Sequence, residues 1–340
     1  MKQRKHYDEL TVMSGIAIMF VLAIHGCGSA LKNFYPASAT YADVGIWLRT
    51  ISNFVSPAVP MFLFVSGFKY AANDAQTPYV AFLKKRLPRV LMSFFLINTL
   101  FWALDSIKYM ESFDLILLAK TYIHSWVGYS VAYQLWYIPM YCYVIMVCPL
   151  MRRIMPSTAV RFCLFALIGI VQRILEVELP VLATYPIRFI SYPVFFEMGS
   201  LVQEKQWQDR LSGMTGIFIV VAYLLLVLWL SWVFPMYSTN GMVTYILYYF
   251  VGTAAMFALS VVMKNSCTLR WLGTVSYPVF LLHEPLIGRS VEALLIGFFS
   301  MSDCVYTVCW IMFDCLLTVL CVRLVMVVHL DDILWKYKIL

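Results

Sequence analysis

The chain has 340 residues, 62% of them hydrophobic and only 13% charged, with a mean hydropathy of +0.80. Soluble domains are about half apolar and a quarter charged, and a water-soluble fold of this size has no core large enough to hide so much apolar surface. The composition also excludes disorder, a disulfide scaffold and a nucleic-acid module, which leaves an all-α polytopic membrane protein.

A helix needs ~20 apolar residues to cross a bilayer core of ~30 Å. Read in chain order, the apolar runs predict about ten spans: 10–30, 50–70, 89–107, 131–151, 159–175, 184–203, 213–234, 242–263, 271–290 and 304–328. The fifth is short, and the ninth is interrupted by His283, Glu284 and Pro285. These runs are too long and continuous for the alternating strands of an outer-membrane barrel. The opening MKQRK before an apolar run has the look of a signal peptide, but no convincing small-x-small cleavage site follows, and it reads as an uncleaved first helix.

Placing the N-terminus in the cytoplasm leaves only Lys32, Arg49, Lys108, Lys120, Arg173, Arg188 and Arg289 in outside segments; all the other lysines and arginines fall inside. This is the positive-inside pattern, and an even number of spans puts both termini in the cytoplasm. The net charge of +7 is mostly this topology signal. Most of the nine cysteines lie within apolar runs, with no CxxC pair, and read as small packing residues. There is no metal motif, no Gly-rich nucleotide loop, no GxSxG and no repeat of fixed period. The chain reads as one domain, 1–340, that uses no metal.

An ionisable side chain inside a membrane costs at least ~2.5 kcal/mol, so each one asks for a reason. His25 lies fifteen residues beyond Leu10, ~22 Å along a helix, past the midplane toward the outer side. It is either a general base for a hydroxyl or a structural histidine bonded to a neighbouring helix. Arg86 and Arg89 form an R-x-x-R at the cytoplasmic entrance of the third span; two guanidiniums one turn apart suit phosphates, or are ordinary inside charge at lipid headgroups. His283 and Glu284 do not face one another on a helix, and each either lines a cavity or sits at the interface. Glu197 in the sixth span and Asp314 in the tenth are buried carboxylates that could orient a histidine, pair with an arginine, or be protonated and hydrogen-bonded. The aromatic segment YQLWYIPMY at 133–141 is an interfacial belt or, more sharply, a sugar-stacking platform.

Five segments in this order resemble the acyltransferase-3 family of membrane O-acyltransferases. They are YDEL-x3-SGIAIMFVLAIH in the first span, VPMFLFVSGF at 59–68, the pair Arg86 and Arg89, QLWYIPMY at 134–141, and LGTVSYPVFLLHEPL at 272–286. The resemblance implies transfer of an acyl group, commonly acetyl, from cytoplasmic acyl-CoA to a hydroxyl of a cell-surface glycan or lipid-linked carbohydrate, in a bacterial inner membrane. It implies His25 as catalytic base or acyl relay and Arg86 and Arg89 as the donor-binding pair. Ser66, Trp136, Glu197, His283 and Glu284 are the candidate cavity-lining residues. One departure concerns Ser14, which stands eleven positions before His25 where the family usually has a basic residue. The two positions share a helix face ~16 Å apart, and Lys5, Arg4 or Lys69 could supply the missing charge. Gln134 also replaces a residue that is often His.

Two other readings compete. A transporter or exporter of a glycan or small polar solute would suit ten spans, intramembrane ionisable groups and a broken ninth helix, although no inverted repeat is visible. A non-enzymatic scaffold leaves His25, Glu197 and His283 without a purpose. A cavity joining Arg86 and Arg89 to His25 favours acyl transfer, whereas a wide two-sided water path favours transport.

Overall fold

The computed structural model describes residues 5–36, 39, 43–109, 114–126, 133–175, 189–211, 213–233 and 244–327. Among these the secondary structure is entirely helical. The long helix α1 (Asp8–Phe34) opens with Asp8 and Glu9 in its first turn, where the helix dipole favours negative charge. Next come α2 (Ile46–Val55), α3 (Ala58–Lys69) with a π turn over Tyr70–Asp74, α4 (Tyr79–Tyr109) and α5 (Leu115–Trp126). A 3-10 turn, Tyr133–Trp136, leads into α6 (Tyr137–Ile154), followed by α7 (Thr158–Leu175), α8 (Pro193–Glu204) and α9 (Gly213–Val233). A π stretch, Thr244–Val251, leads into α10 (Gly252–Val262). The last part comprises α11 (Cys267–Thr274), α12 (Ser276–Leu282), a π break over His283–Ile287, α13 (Gly288–Phe298) and α14 (Asp303–Val327).

Among the described residues seven helices are long and apolar enough to cross a membrane: Asp8–Phe34, Ile46–Asp74, Tyr79–Leu104, Gln134–Ile154, Thr158–Leu175, Gly213–Val233 and Asp303–Leu324. They coincide with seven of the expected spans. The other three are not among these seven, two of them containing residues outside the described set. Of 184–203, residues 189–203 are described, and the helix there, α8, has 12 residues that begin at Pro193. The run 242–263 contains the shorter apolar helix Ile246–Val262. The run 271–290 is broken at Glu284, whose φ of −131° and ψ of 142° are extended rather than helical. Residues 131–132, 184–188, 234, 242–243 and 328 of the expected spans lie outside the described residues.

α1 is the central element, with 78% of its apolar stretch buried against other helices, compared with 22–33% for α4, α7, α9 and α14 at the periphery. The peripheral helices present side chains such as Leu225, Trp229 and Trp232 outward, as lipid contact requires. Two crossings bring backbones into direct contact through glycine, the device of close helix pairs in membranes. Where α3 meets α8, a Cβ on Gly67 would strike the Phe196 carbonyl and one on Gly199 the Phe64 carbonyl. Where α1 meets α11, Gly15 abuts the Leu269 carbonyl and Gly273 that of Thr11.

The polar contacts collect at two ends of the bundle. At the end called here the basic face, Arg86 pairs with Asp74 (2.9 Å), Arg152 with Glu204 (3.1 Å) and Arg270 with Asp8 (3.3 Å). At the far face, Lys32 pairs with Glu292 (3.0 Å), the Ser29 and Tyr306 hydroxyls lie 2.7 Å apart, and Tyr35 donates to Asp303 (2.5 Å).

Candidate active site

A cavity of about 630 Å³ opens at the basic face between α1, α3, α4, α6, α12 and α14, a volume ordinary for a small-molecule site. Exposed Arg89 and Thr274 mark its mouth, with Lys69 and Arg86 beside them. Ser66, Tyr141, Ser276 and Tyr277 supply hydroxyls along the wall. Deeper in, the lining turns apolar and ends at Val21, Phe280, Leu281 and Leu282. Val21 stands one helical turn before His25 and Leu282 directly precedes His283. The cavity therefore runs from the guanidinium pair to the layer beneath the imidazoles, and neither ring is part of its wall.

The cations at the mouth are not equivalent. The π turn after α3 aims Asp74 back at α4, where it holds Arg86 at 2.9 Å and Lys85 at 3.6 Å. Asp74 is itself buried, so part of the Arg86 charge is spent in orienting that turn. Lys69 follows Ser66 by three residues, on the same helix face, and lines the same wall. Among the described residues no carboxylate pairs with it. Ser14 takes no part: it is 7% exposed, its hydroxyl donates to the Leu10 carbonyl (3.0 Å), and it adjoins the Gly15 crossing. Of the three basic residues considered as substitutes, Lys69 is the one in the cavity, Lys5 donates its backbone N–H to Asn73, and Arg4 lies outside the described residues. The sequence offers Lys69 as one such substitute, and its i+3 spacing from Ser66 puts both on one helix face.

His25 on α1 meets His283 edge to face, with ring centroids 5.0 Å apart. His283 is fully buried at the start of the π break. Its Nδ1 lies 2.9 Å from the Phe280 carbonyl and 3.2 Å from that of Val279. Carbonyl oxygens only accept, so Nδ1 carries the proton and Nε2 presents a lone pair. That Nε2 is buried and has no hydrogen-bond partner among the described residues. The break arises because Pro285 has no N–H to give the helix. The Glu284 carbonyl freed nearby accepts from Gln134 Nε2, a cross-link that ties the QLWYIPMY segment to the HEP segment.

The other sequence candidates are placed as follows. Ser66 lines the cavity and its hydroxyl lies 3.0 Å from that of Tyr141. Glu284 is partly exposed on the far side of the imidazoles and does not line this cavity. Trp136 does not line it either, because its ring packs 5.8 Å from Tyr192. Nor does Glu197, which is fully buried between α7 and α8 and paired with Arg161 (3.0 Å). Arg161 also donates to the Met155 and Pro156 carbonyls and to Thr158, so Glu197 completes a structural network.

Fold and site together define an integral membrane protein with a cation-lined cavity that leads toward an imidazole pair, His283 buried and His25 partly buried. The chain belongs to the acyltransferase-3 family: the family model, described as an acyltransferase domain, matches residues 7–328, nearly its whole length. It is a membrane acyltransferase. No curated protein and no solved structure matches the chain.

Proposed function

We propose that this protein is an O-acyltransferase that moves an acyl group, most simply acetyl, from cytoplasmic acyl-CoA to a hydroxyl of a cell-surface glycan or lipid-linked carbohydrate. One observation carries the reading: a single cavity has cations at its mouth and ends one turn short of two facing histidines. Phosphates are recognised by Lys and Arg charge, which Lys69, Arg86 and Arg89 supply. The apolar depth suits the neutral acyl-bearing end of the donor. The charge bias of the end segments favours a cytoplasmic basic face, in an inner membrane with both termini inside.

In the transfer step the hydroxyl oxygen bonds to the acyl carbon and the C–S bond breaks. The hydroxyl proton passes to His25 and then to the departing thiolate. The His283 lone pair stands beside His25 and stabilises the imidazolium formed in this low-dielectric layer. Removing a positioned base costs about 10²–10⁴-fold in rate. His25→Ala is therefore expected to lose acyl transfer by that factor while remaining folded and inserted, measured as radiolabelled acetyl moved from acetyl-CoA to glycan in vesicles. Wild-type rates in that variant would end the proposal.

A further inference from the structure

A second cavity, of about 360 Å³, opens at the basic face between the start of α4 and the end of α6. Gln76, Thr77, Tyr79, Phe82, Arg152 and Arg153 line it, and the acyl-transfer mechanism uses none of them. Its inner wall is formed by Tyr70 and Phe82, both buried, whose rings meet edge to face at 5.1 Å. Arg86, at the mouth of the candidate active site, lies 6.0 Å from the Phe82 ring centroid, which makes Phe82 the neighbour of both cavities.

The dipoles of the two helix ends oppose one another here, so the charge of the cavity is that of its arginines. Arg152 is held by Glu204 at 3.1 Å. Arg153 is exposed, its guanidinium lies 5.5 Å from the Tyr79 ring centroid, and among the described residues no carboxylate pairs with it. Tyr79 is fixed in turn by donating its hydroxyl to the Met146 carbonyl (3.1 Å). A guanidinium stacked on a ring keeps its N–H edge for an anion. Thr77 adds a hydroxyl and Gln76 an amide, and among the described residues no carboxylate lines the cavity. Guanidinium forks beside neutral donors are a setting for phosphate.

The surroundings of the cavity select the form in which phosphate arrives. Met146, Leu150 and Arg153 follow one another by four and three residues and share a face of α6. Met146 is 38% exposed and Leu150 44%, and Val80 on α4 presents another open apolar side chain beside Tyr79. Lipid chains cover such a surface on a spanning helix. It ends at Arg153, ~10 Å beyond Met146 along the axis at 1.5 Å per residue. A lipid lying along Met146 and Leu150 therefore brings its phosphate to the guanidinium, with Tyr79 at the headgroup level where interfacial aromatics sit. The charge bias of a basic face needs no cavity; here it borders one, the arrangement that takes an anionic headgroup.

We propose that the cavity between α4 and α6 binds the phosphate headgroup of an anionic phospholipid from the leaflet at the basic face, with Arg153 and Arg152 as its cationic partners. This site is independent of the acyl-transfer reading. The test follows thermal unfolding of the purified full chain in neutral detergent as dioctanoyl phosphatidylglycerol, dioctanoyl phosphatidylcholine, glycerol phosphate or inorganic phosphate is added. Binding to the folded state raises Tm by mass action. Phosphatidylglycerol is expected to raise the Tm of the wild type, phosphatidylcholine, which has no net charge, to do so much less, and the two soluble phosphates hardly at all. Arg153→Gln should need about tenfold more phosphatidylglycerol for the same rise, the loss expected for one hydrogen bond to a charged group. Lys264→Gln, at an exposed basic residue outside the cavity, should respond as the wild type does. Should Arg153→Gln fail to fold, Gln76→Glu, which sets a carboxylate at the exposed rim, is expected to show the same loss. Equal responses of wild type and variant to phosphatidylglycerol, equal responses of the wild type to the two lipids, or no response at all overturns the site. A full rise with glycerol phosphate or inorganic phosphate that Arg153→Gln loses overturns the lipid and assigns the cavity to a soluble phosphate compound.

Discussion

Asp74 reaches across from the end of α3 to hold Arg86 and Lys85, while Lys69 enters the cavity wall with no carboxylate partner among the described residues. A basic residue already balanced by a buried acid has less charge to offer an anionic ligand than one that is not. The sequence presents Arg86 and Arg89 as a matched pair; the structure makes Lys69 their partner at the mouth and Arg86 partly a strut. Lys69→Gln is accordingly expected to raise the KM for acetyl-CoA by about tenfold, the worth of one charge-assisted contact. The KM for acetyl-pantetheine, which carries no nucleotide phosphates, should stay unchanged. Equal rises for both donors would assign Lys69 a role unrelated to phosphate.

At the level of elements, the site depends on how closely helices approach. Gly67 and Gly199 let α3 and α8 touch backbone to backbone, and Ser200 adds a hydrogen bond to the Gly67 carbonyl at 3.0 Å. α3 carries Ser66 and Lys69, so its position sets one wall of the cavity. Gly67→Ala drives a methyl group into the Phe196 carbonyl. Overpacking of this kind costs about 1–3 kcal/mol, and the expected outcome is a lower Tm together with reduced acyl transfer; an unchanged Tm would show that the crossing has slack. The π break after α12 is the other decisive element. A continuous helix through His283 would pair the Glu284 carbonyl internally, and Gln134 would lose the acceptor that ties its segment to the histidines. The Arg161–Glu197 network similarly locks α7 to α8 without touching the cavity.

For the molecule as a whole, the ion pairs divide the bundle into a basic face with the cavity mouth and a far face with Lys32, Glu292 and Tyr306. Two exposed cysteines report which way it sits in the membrane: Cys267 at the start of α11, beside Arg270, and Cys304 at the start of α14. In single-cysteine variants of intact cells, a membrane-impermeant maleimide is expected to label Cys304 and to spare Cys267 until the cells are opened. The reverse pattern would invert the orientation and move the proposed donor side outside.

Composition and run length were enough to determine an all-helical membrane protein, because a bilayer admits few other ways to satisfy the backbone. Five short segments in order were enough to indicate the family, and the intramembrane ionisable residues marked where chemistry was worth seeking. Which of those residues meet was decided only by tertiary structure. Residues 258 positions apart in sequence, His25 and His283, become ring neighbours because α1 and the broken ninth run pack together. Glu197, by the same logic of burial a functional candidate, instead faces Arg161. Local spacing specifies the face of one helix, but it carries no information about the rotation of the next helix against it, and that rotation assigns one buried charge to the site and another to the scaffold.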